Sequence, residues 1–377
     1  MLRGASFGNA VVSTAAVLLA SVVSVSGQGA PAPEVHLSDT VFKNVQVLKG
    51  IPADQFMDTM GMFAASLGYD CASCHSPDIK SDRAAFAVTT PQILRARQMI
   101  AMVNSINEAN FGGRPMVTCF TCHRASFPPE PIPSLALQYA PLVDDPNSIR
   151  IATDRRFTAP QIFDKYLQAI GGAQRAAGLT SFVARGTYSG YNTSGNQAML
   201  EISAKAPNLR AESVTTLEGN NVRTYDGRTA WAAEHWRPEP LMALTGGNLE
   251  GARVEAITAF PAGIQGAFAR WLVGSTAIDD RPVQVLQGIN PGQLPVNFYF
   301  DQTGLLVRVV RWNRTMIGTI PSQTDYSDYR DVAGVKMPFQ ILVTWTNGQN
   351  TLTLTDVRPN VAIDAARFAR PTPFQNR

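Results

Sequence analysis

Beyond a short helical stretch at 159–177, apolar and polar side chains alternate with a period of two, the spacing of a strand buried on one face. Val296, Phe298 and Phe300 alternate with Asn297, Tyr299 and Asp301, and Gln302-Thr303-Gly304 then turns the chain into Leu305–Trp312. Ile341, Val343 and Trp345 alternate with Leu342, Thr344 and Thr346, and Asn347-Gly348 leads into Thr351–Val357. Asp226-Gly227 does the same between Val222 and Trp231, because Asn-Gly and Asp-Gly are the preferred dipeptides of tight hairpins. Further strands are predicted near 181–193, 198–205, 209–217, 282–289 and 323–338. A short helix is predicted over Ala159–Ala177 and a helical insertion near 252–272. The expected result is a large antiparallel sheet with a few helices.

The earlier part of the chain has a different period. Between about 41 and 125 the apolar positions fit amphipathic helices, and they repeat. Pro52 and Pro91 each stand at the start of a helix, where a missing N–H costs nothing. Met60 and Met99 each follow eight residues later, and glycines at Gly68 and at Gly112-Gly113 end the two helices. Each copy closes on Cys-x-x-Cys-His: Cys71-Ala-Ser-Cys74-His75 and Cys119-Phe-Thr-Cys122-His123. Between the repeat and the strands, Pro128, Pro129, Pro131, Pro133, Pro141 and Pro146 predict an extended linker or wrap. The organisation read from these patterns is multidomain α+β: a signal segment over 1–27, a helical domain over 34–125, a Pro-rich linker over 126–158 and an antiparallel β domain over 159–377.

Composition narrows the possibilities. The chain has 377 residues, 45% hydrophobic and 16% charged, against about 25% charged in an average globular chain, so it can bury a core. Its 32 basic and 29 acidic side chains leave a net charge of +3 with no block of like charge, which argues against a nucleic-acid partner. The charge is divided, with 8 basic and 11 acidic residues over 34–145 and 23 and 18 over 146–377. Opposite signs in the two halves raise the expectation that they dock electrostatically. Arg3, the apolar run Val11–Val25 and the small residues ending near Gly27 form a secretory signal, placing the protein in the periplasm or outside the cell.

An exported chain with four cysteines would ordinarily form two disulfides. Here every Cys lies in a Cys-x-x-Cys-His pentapeptide, the attachment signature of c-type heme: two thiols one helical turn apart add across the vinyl groups and the next His reaches the iron. Two covalently bound c-type hemes are expected, held by Cys71, Cys74, Cys119 and Cys122, with His75 and His123 as proximal ligands. A four-thiolate zinc site is the competing arrangement, and it leaves the two histidines unexplained. Met57 shares a helical face with Met60, and Met102 with Met99. The internal repeat separates them, since the counterparts of Met57 and Met102 in the other copy are Ala96 and Phe63, which cannot bind iron. Met60 and Met99 are therefore the expected distal ligands. His36 in the leader is a further candidate for that role, and His235 is expected to be a surface residue.

Residues 41–75, VFKNVQVLKGIPADQFMDTMGMFAASLGYDCASCH, and 96–124, ARQMIAMVNSINEANFGGRPMVTCFTCHR, resemble one half of the cytochrome c subunit of photosynthetic reaction centres. In that family the helix methionines ahead of each attachment site are axial ligands, and Met60 and Met99 fall on them. The family typically carries four hemes where this chain has sites for two, and residues 104–116 lack the His that often serves a further heme. The resemblance implies heme ligation and electron transfer without implying photosynthesis. The β region is similar, more distantly, to the curved half-barrels of periplasmic lipoprotein carriers, which implies either a hydrophobic ligand in its concavity or a docking scaffold.

These readings lead to an exported diheme cytochrome c that passes single electrons between redox protein partners and is not an enzyme. Iron with both axial positions filled has no vacancy for substrate. The alternatives are a diheme peroxidase, for which no distal acid/base group is visible, and a lipid- or lipoprotein-binding module tethered to a cytochrome.

Overall fold

Thirteen strands follow one another in a single antiparallel sheet that is a meander everywhere except at its centre, where the first strand meets the last. The computed structural model describes residues 33–139, 145–237 and 239–374, together with Met1 and Gly4. The helices are α1 (Ser38–Val41), α2 (Ala53–Leu67), α3 (Cys71–Cys74), α4 (Pro91–Phe111), α5 (Cys119–His123), α6 (Leu135–Gln138), α7 (Ala159–Ala169), α8 (Ala173–Gly178) and α9 (Gly246–Thr258). The strands are β1 (Ser181–Gly190), β2 (Ala198–Lys205), β3 (Leu209–Thr215), β4 (Asn220–Tyr225), β5 (Ala230–Ala233), β6 (Met242–Leu244), β7 (Arg270–Ile278), β8 (Arg281–Ile289), β9 (Val296–Phe300), β10 (Leu306–Thr315), β11 (Gly318–Val332), β12 (Val335–Trp345) and β13 (Gly348–Pro359). Their spatial order is β6-β5-β4-β3-β2-β1-β13-β12-β11-β10-β9-β8-β7.

The main core lies on the inner face of this sheet, against α7, α8 and the segment after α9. Phe163, Ile170, Phe182, Ala184, Leu286, Phe298 and Phe300 are buried there. The alternation that predicted β9 holds for Val296, Phe298 and Phe300, which face this core, but Asn297 and Tyr299 are buried as well. Their cover is the Pro-rich segment. Tyr299 Oη donates to Pro146 O (2.6 Å), Asn297 Nδ2 to Ser148 O (3.2 Å) and Gln287 Nε2 to Ile149 O (2.9 Å), while Thr153 bridges to Gly274. Residues 145–158 are thus a strap held along the outer face, which is the wrap alternative, and this part of the expected linker is not free.

Local departures have local causes. The helix expected over 159–177 is two helices, since Gly171 and Gly172 adopt φ +118° and +105°. A Cβ on Gly171 would stand 2.1 Å from Gly334 O, so only glycine fits this close approach. The helical insertion is shorter and earlier than expected, at 246–258, and Arg270–Ile278 is the edge strand β7. The strands read near 323–338 and 341–346 are β11 and one continuous β12, which pair at Val332 and Val335 across the Ala333-Gly334 turn.

The expected separation of a helical from a sheet domain also needs correction, because Pro33–Arg377 forms one compact unit. Leu48, Ile51, Met62, Ile100 and Cys119 from the helical region share a buried cluster with Ile317 and Ile320 from the β10–β11 hairpin. Apart from the His36–Glu239 pair, paired opposite charges among the described residues do not join them. Asp54 of α2, buried, accepts from Thr245 N and Oγ1 at the start of α9, and Asp58 accepts from Asn248 and Asn313. Arg83 donates to the backbone carbonyls of His235 and Arg237. Apolar burial and charge-to-neutral hydrogen bonds make this contact.

Candidate heme site

Each Cys-x-x-Cys-His segment is a single helical turn with its own cap, which sets both thiols on one side. Asp70 caps α3 by accepting from Ser73 N (2.9 Å) and Oγ (2.7 Å), and Thr118 caps α5 by accepting from Thr121 N (3.3 Å). The turns are also fixed to the longer helices. Thr90 caps α4 by accepting from Ile93 N and donates its hydroxyl to Cys74 O at 2.5 Å. Ala125 N donates to Ser66 O (3.0 Å) at the end of α2, where Gly68 closes the helix at φ +66°. A Cβ on Gly68 would stand 2.6 Å from Ala125 O, so this glycine serves both the cap and the approach of the second attachment segment. Pro91 is the first residue of α4, as expected, whereas Pro52 stands one residue before α2 begins.

The two histidines share one arrangement. His75 Nδ1 donates to Phe86 O (3.1 Å), and His123 Nδ1 donates to Phe127 O (2.7 Å) and Ser126 O (3.2 Å). A carbonyl only accepts, so each ring carries a proton on Nδ1, which leaves Nε2 as the nitrogen that can offer a lone pair. This is how a histidine ligand is oriented by its outer partner in metal sites. Burial also holds His75 below its ordinary pKa, outweighing the Phe86 hydrogen bond, so the ring stays neutral. Phe86 packs edge-on against His75, with ring centres 5.0 Å apart.

The thiols do not form the competing sites. All four cysteines are free, and among the described residues no three His, Cys, Asp or Glu side chains converge on a point that could hold a metal ion. Burial pushes the Cys74 and Cys119 thiols up from their ordinary value, with Cys71 and Asp70 adding to the effect on Cys74.

Residues 3–147 match the family described as the photosynthetic reaction centre cytochrome C subunit. The segments that carry the resemblance, 41–75 and 96–124, lie within that match, which supports a cytochrome-like, heme-binding role for this part of the chain. Residues 255–357 match a family of unknown function, DUF6544. No curated protein matches the chain. Among solved structures, a LolA superfamily protein from Nitrosomonas europaea is 14% identical, with a TM-score of 0.38 over 56% of this chain and 98% of its own. A DUF1329 family protein from Desulfovibrio piger is 10% identical, with a TM-score of 0.40 over 56% and 96%. A lipoprotein-sorting protein domain from Vibrio parahaemolyticus is 10% identical, with a TM-score of 0.37 over 55% and 94%. The sheet architecture described above stands on its own strand register. The expected signal segment lies outside the described residues, save Met1 and Gly4, and no described helix is long and apolar enough to cross a membrane.

The two attachment sites differ in their surroundings. Cys71, Cys74, His75, Met57 and Met60 line a cavity of about 1010 Å³ that continues into the inner face of the sheet. Tyr191, from the turn after β1, lines the same cavity beside Cys71 and packs edge-on against Trp345 of β12. Sheet residues therefore complete the wall of the first site, a contribution that strand periodicity does not announce. Cys119, Cys122, His123 and Met99 do not line this cavity. Cys119 is buried in the helix–hairpin cluster, against which Met60 also packs, while Cys122 is exposed and Met99 half-buried. Met102 is exposed. His36 is paired with Glu239 through Nδ1 (2.8 Å). His235, expected at the surface, is half-buried and lines the cavity, its ring engaged by Asn221.

Proposed function

We propose that the chain is an exported, periplasmic diheme c-type cytochrome that carries single electrons between redox protein partners and is not an enzyme. Cys71 with Cys74, and Cys119 with Cys122, tether the two hemes. His75 and His123 are the proximal ligands, and Met60 and Met99 the distal ones. When bound, the hemes supply reversible one-electron chemistry at iron. The chain's own part is to hold the thiols on capped turns and to fix each imidazole with Nε2 free. At the first site the sheet also adds Tyr191 and Trp345 to the wall.

The observation that carries this reading is the matched pair of Nδ1–H donors to backbone carbonyls, His75 to Phe86 and His123 to Phe127. A core histidine needs no free ring nitrogen, and two such rings, each directly after Cys-x-x-Cys, suit iron ligation. The match over residues 3–147 agrees with it. Mass spectrometry of protein made with the c-type maturation apparatus should show two heme additions and no free thiol. A product with four free thiols and no heme would refute the proposal.

A further inference from the structure

The cavity that holds the first attachment site extends well beyond it, and its walls are unlike one another. Along β1, β12 and β13 the lining is apolar, from Phe182, Met337, Ile341, Val343, Leu352 and Leu354. Across from it, on β3, β4, β10 and α9 and their neighbours, the lining is charged and balanced. Arg210 meets Glu212 (2.7 Å) and Glu255 (3.2 Å), Arg223 lies 3.9 Å from Glu234 and from Glu255, and Arg311 of β10 is the third arginine facing these three glutamates. Two buried polar atoms on the lining have no hydrogen-bond partner, Arg223 Nε and Thr346 Oγ1. Thr346 belongs to the turn between β12 and β13, beside the Trp345–Tyr191 pair that reaches Cys71.

Each feature restricts the occupant. An apolar wall about the length of a strand takes a hydrocarbon chain. The charged wall is already neutral in sum, so a charged head group would be a buried ion without a counter-ion. An unpaired guanidinium N–H requires an acceptor, and an unpaired buried hydroxyl is costly to leave alone. The occupant is then neutral, carries acceptor oxygens as well as a hydrocarbon chain, and lies in the same cavity as the first heme's residues. Among amphipathic molecules, quinones meet these conditions and can also exchange electrons with a heme.

We infer that the inner cavity of the sheet binds a neutral quinone-class molecule, its oxygens meeting unpaired donors of the lining and its chain along the apolar wall. This rests on the diheme reading and names the small molecule that the first site would face. The second attachment site, outside the cavity, is left to protein partners.

The test uses the holoprotein in equilibrium dialysis with a decyl-tailed benzoquinone, with 1-decanol and decanoate as comparisons. The quinone should bind at least tenfold more tightly than either. Ile341→Trp, which narrows the apolar wall, should weaken quinone binding at least tenfold, and Thr346→Val should weaken it severalfold, both with heme content and visible spectrum unchanged. Equal binding of decanol would show that the head is not recognised and would overturn the inference, as would quinone binding indifferent to both substitutions. Tighter binding of decanoate would reassign the cavity to anionic lipids. Dialysis reads the cavity and absorbance reads the hemes, so failure of the diheme reading and failure of the quinone site give different results.

Discussion

Asp54 and Thr245 are 191 residues apart in sequence, and the Asp54 carboxylate accepts from both the backbone N (2.7 Å) and the hydroxyl (2.8 Å) of Thr245. Thr245 stands immediately before α9, so an acidic side chain from the helix that bears Met60 sits at the N-terminus of a helix in the sheet region. Favourable charge at a helix start and two hydrogen bonds act together there.

Asp54→Ala should accordingly leave buried donors unpaired and lower stability by about 3 kcal/mol. Asp54→Asn, which keeps one acceptor oxygen, should cost less. Urea unfolding of the holoprotein followed by far-ultraviolet circular dichroism measures both. A change below about 0.5 kcal/mol, the range of ordinary surface substitutions, would mean that this contact does not fasten α2.

The distal ligands are open to a direct comparison. Met60→Ala and Met99→Ala should each make one heme high-spin or misligated and remove its share of the near-infrared sulfur-to-iron band. Met57→Ala should leave the band intact although Met57 lines the same cavity as Met60, and so should Met102→Ala. Loss of the band in the Met57 variant would move the first ligand by one helical turn.

Sequence pattern predicts that a fragment carrying the helices alone folds around both hemes. The structure reverses that expectation, because Ile317 and Ile320 complete the helical core and Tyr191 reaches Cys71. A fragment ending at Tyr139 should fail to give the native spectrum at the first site. In the intact chain, 1 M salt should not loosen the helices from the sheet, since most of their contact is apolar or hydrogen-bonded and screening acts on exposed charge. A native two-heme spectrum from the fragment would restore two independent domains.

His36 supplies a pH dependence. Its hydrogen bond to Glu239 raises its pKa above the ordinary 6.5, against a smaller opposing effect of burial. The pair therefore stabilises the leader fully below pH 6.5 and loses that contribution as the pH rises through the raised value. The imidazole is largely exposed, so the effect is local and small. The Ala53 N–H, which donates to His36 O (2.9 Å), should show faster hydrogen exchange above that pH once intrinsic rates are allowed for. His36→Ala should abolish the difference, and an unchanged pH profile in that variant would assign it to another group.

The candidate attachment residues can be proposed from the sequence alone because their pattern is local. Cys-x-x-Cys-His has its spacing set by one helical turn, and the repeat of proline, methionine and glycine around it needs no distant partner. Hairpins with strong turn residues were legible for the same reason, as at Asp226-Gly227 and at the loop before Leu305. β6 and β7 were not, since one has only three residues and the other, at the edge, owes its extension to β8 and to the strap. Nor could the sequence show that the strap covers Asn297 and Tyr299, because alternation reports only one buried face. The Asp54–Thr245 contact and the shared cavity are relations between residues up to almost 300 positions apart. They exist only once the sheet has closed on the helices, since burial and the pairing of polar groups are properties of the packed chain and not of any segment. The sequence by itself determined which atoms are candidates to carry heme; the tertiary structure decided that one of the two candidate sites faces inward, into a cavity of the sheet's own making.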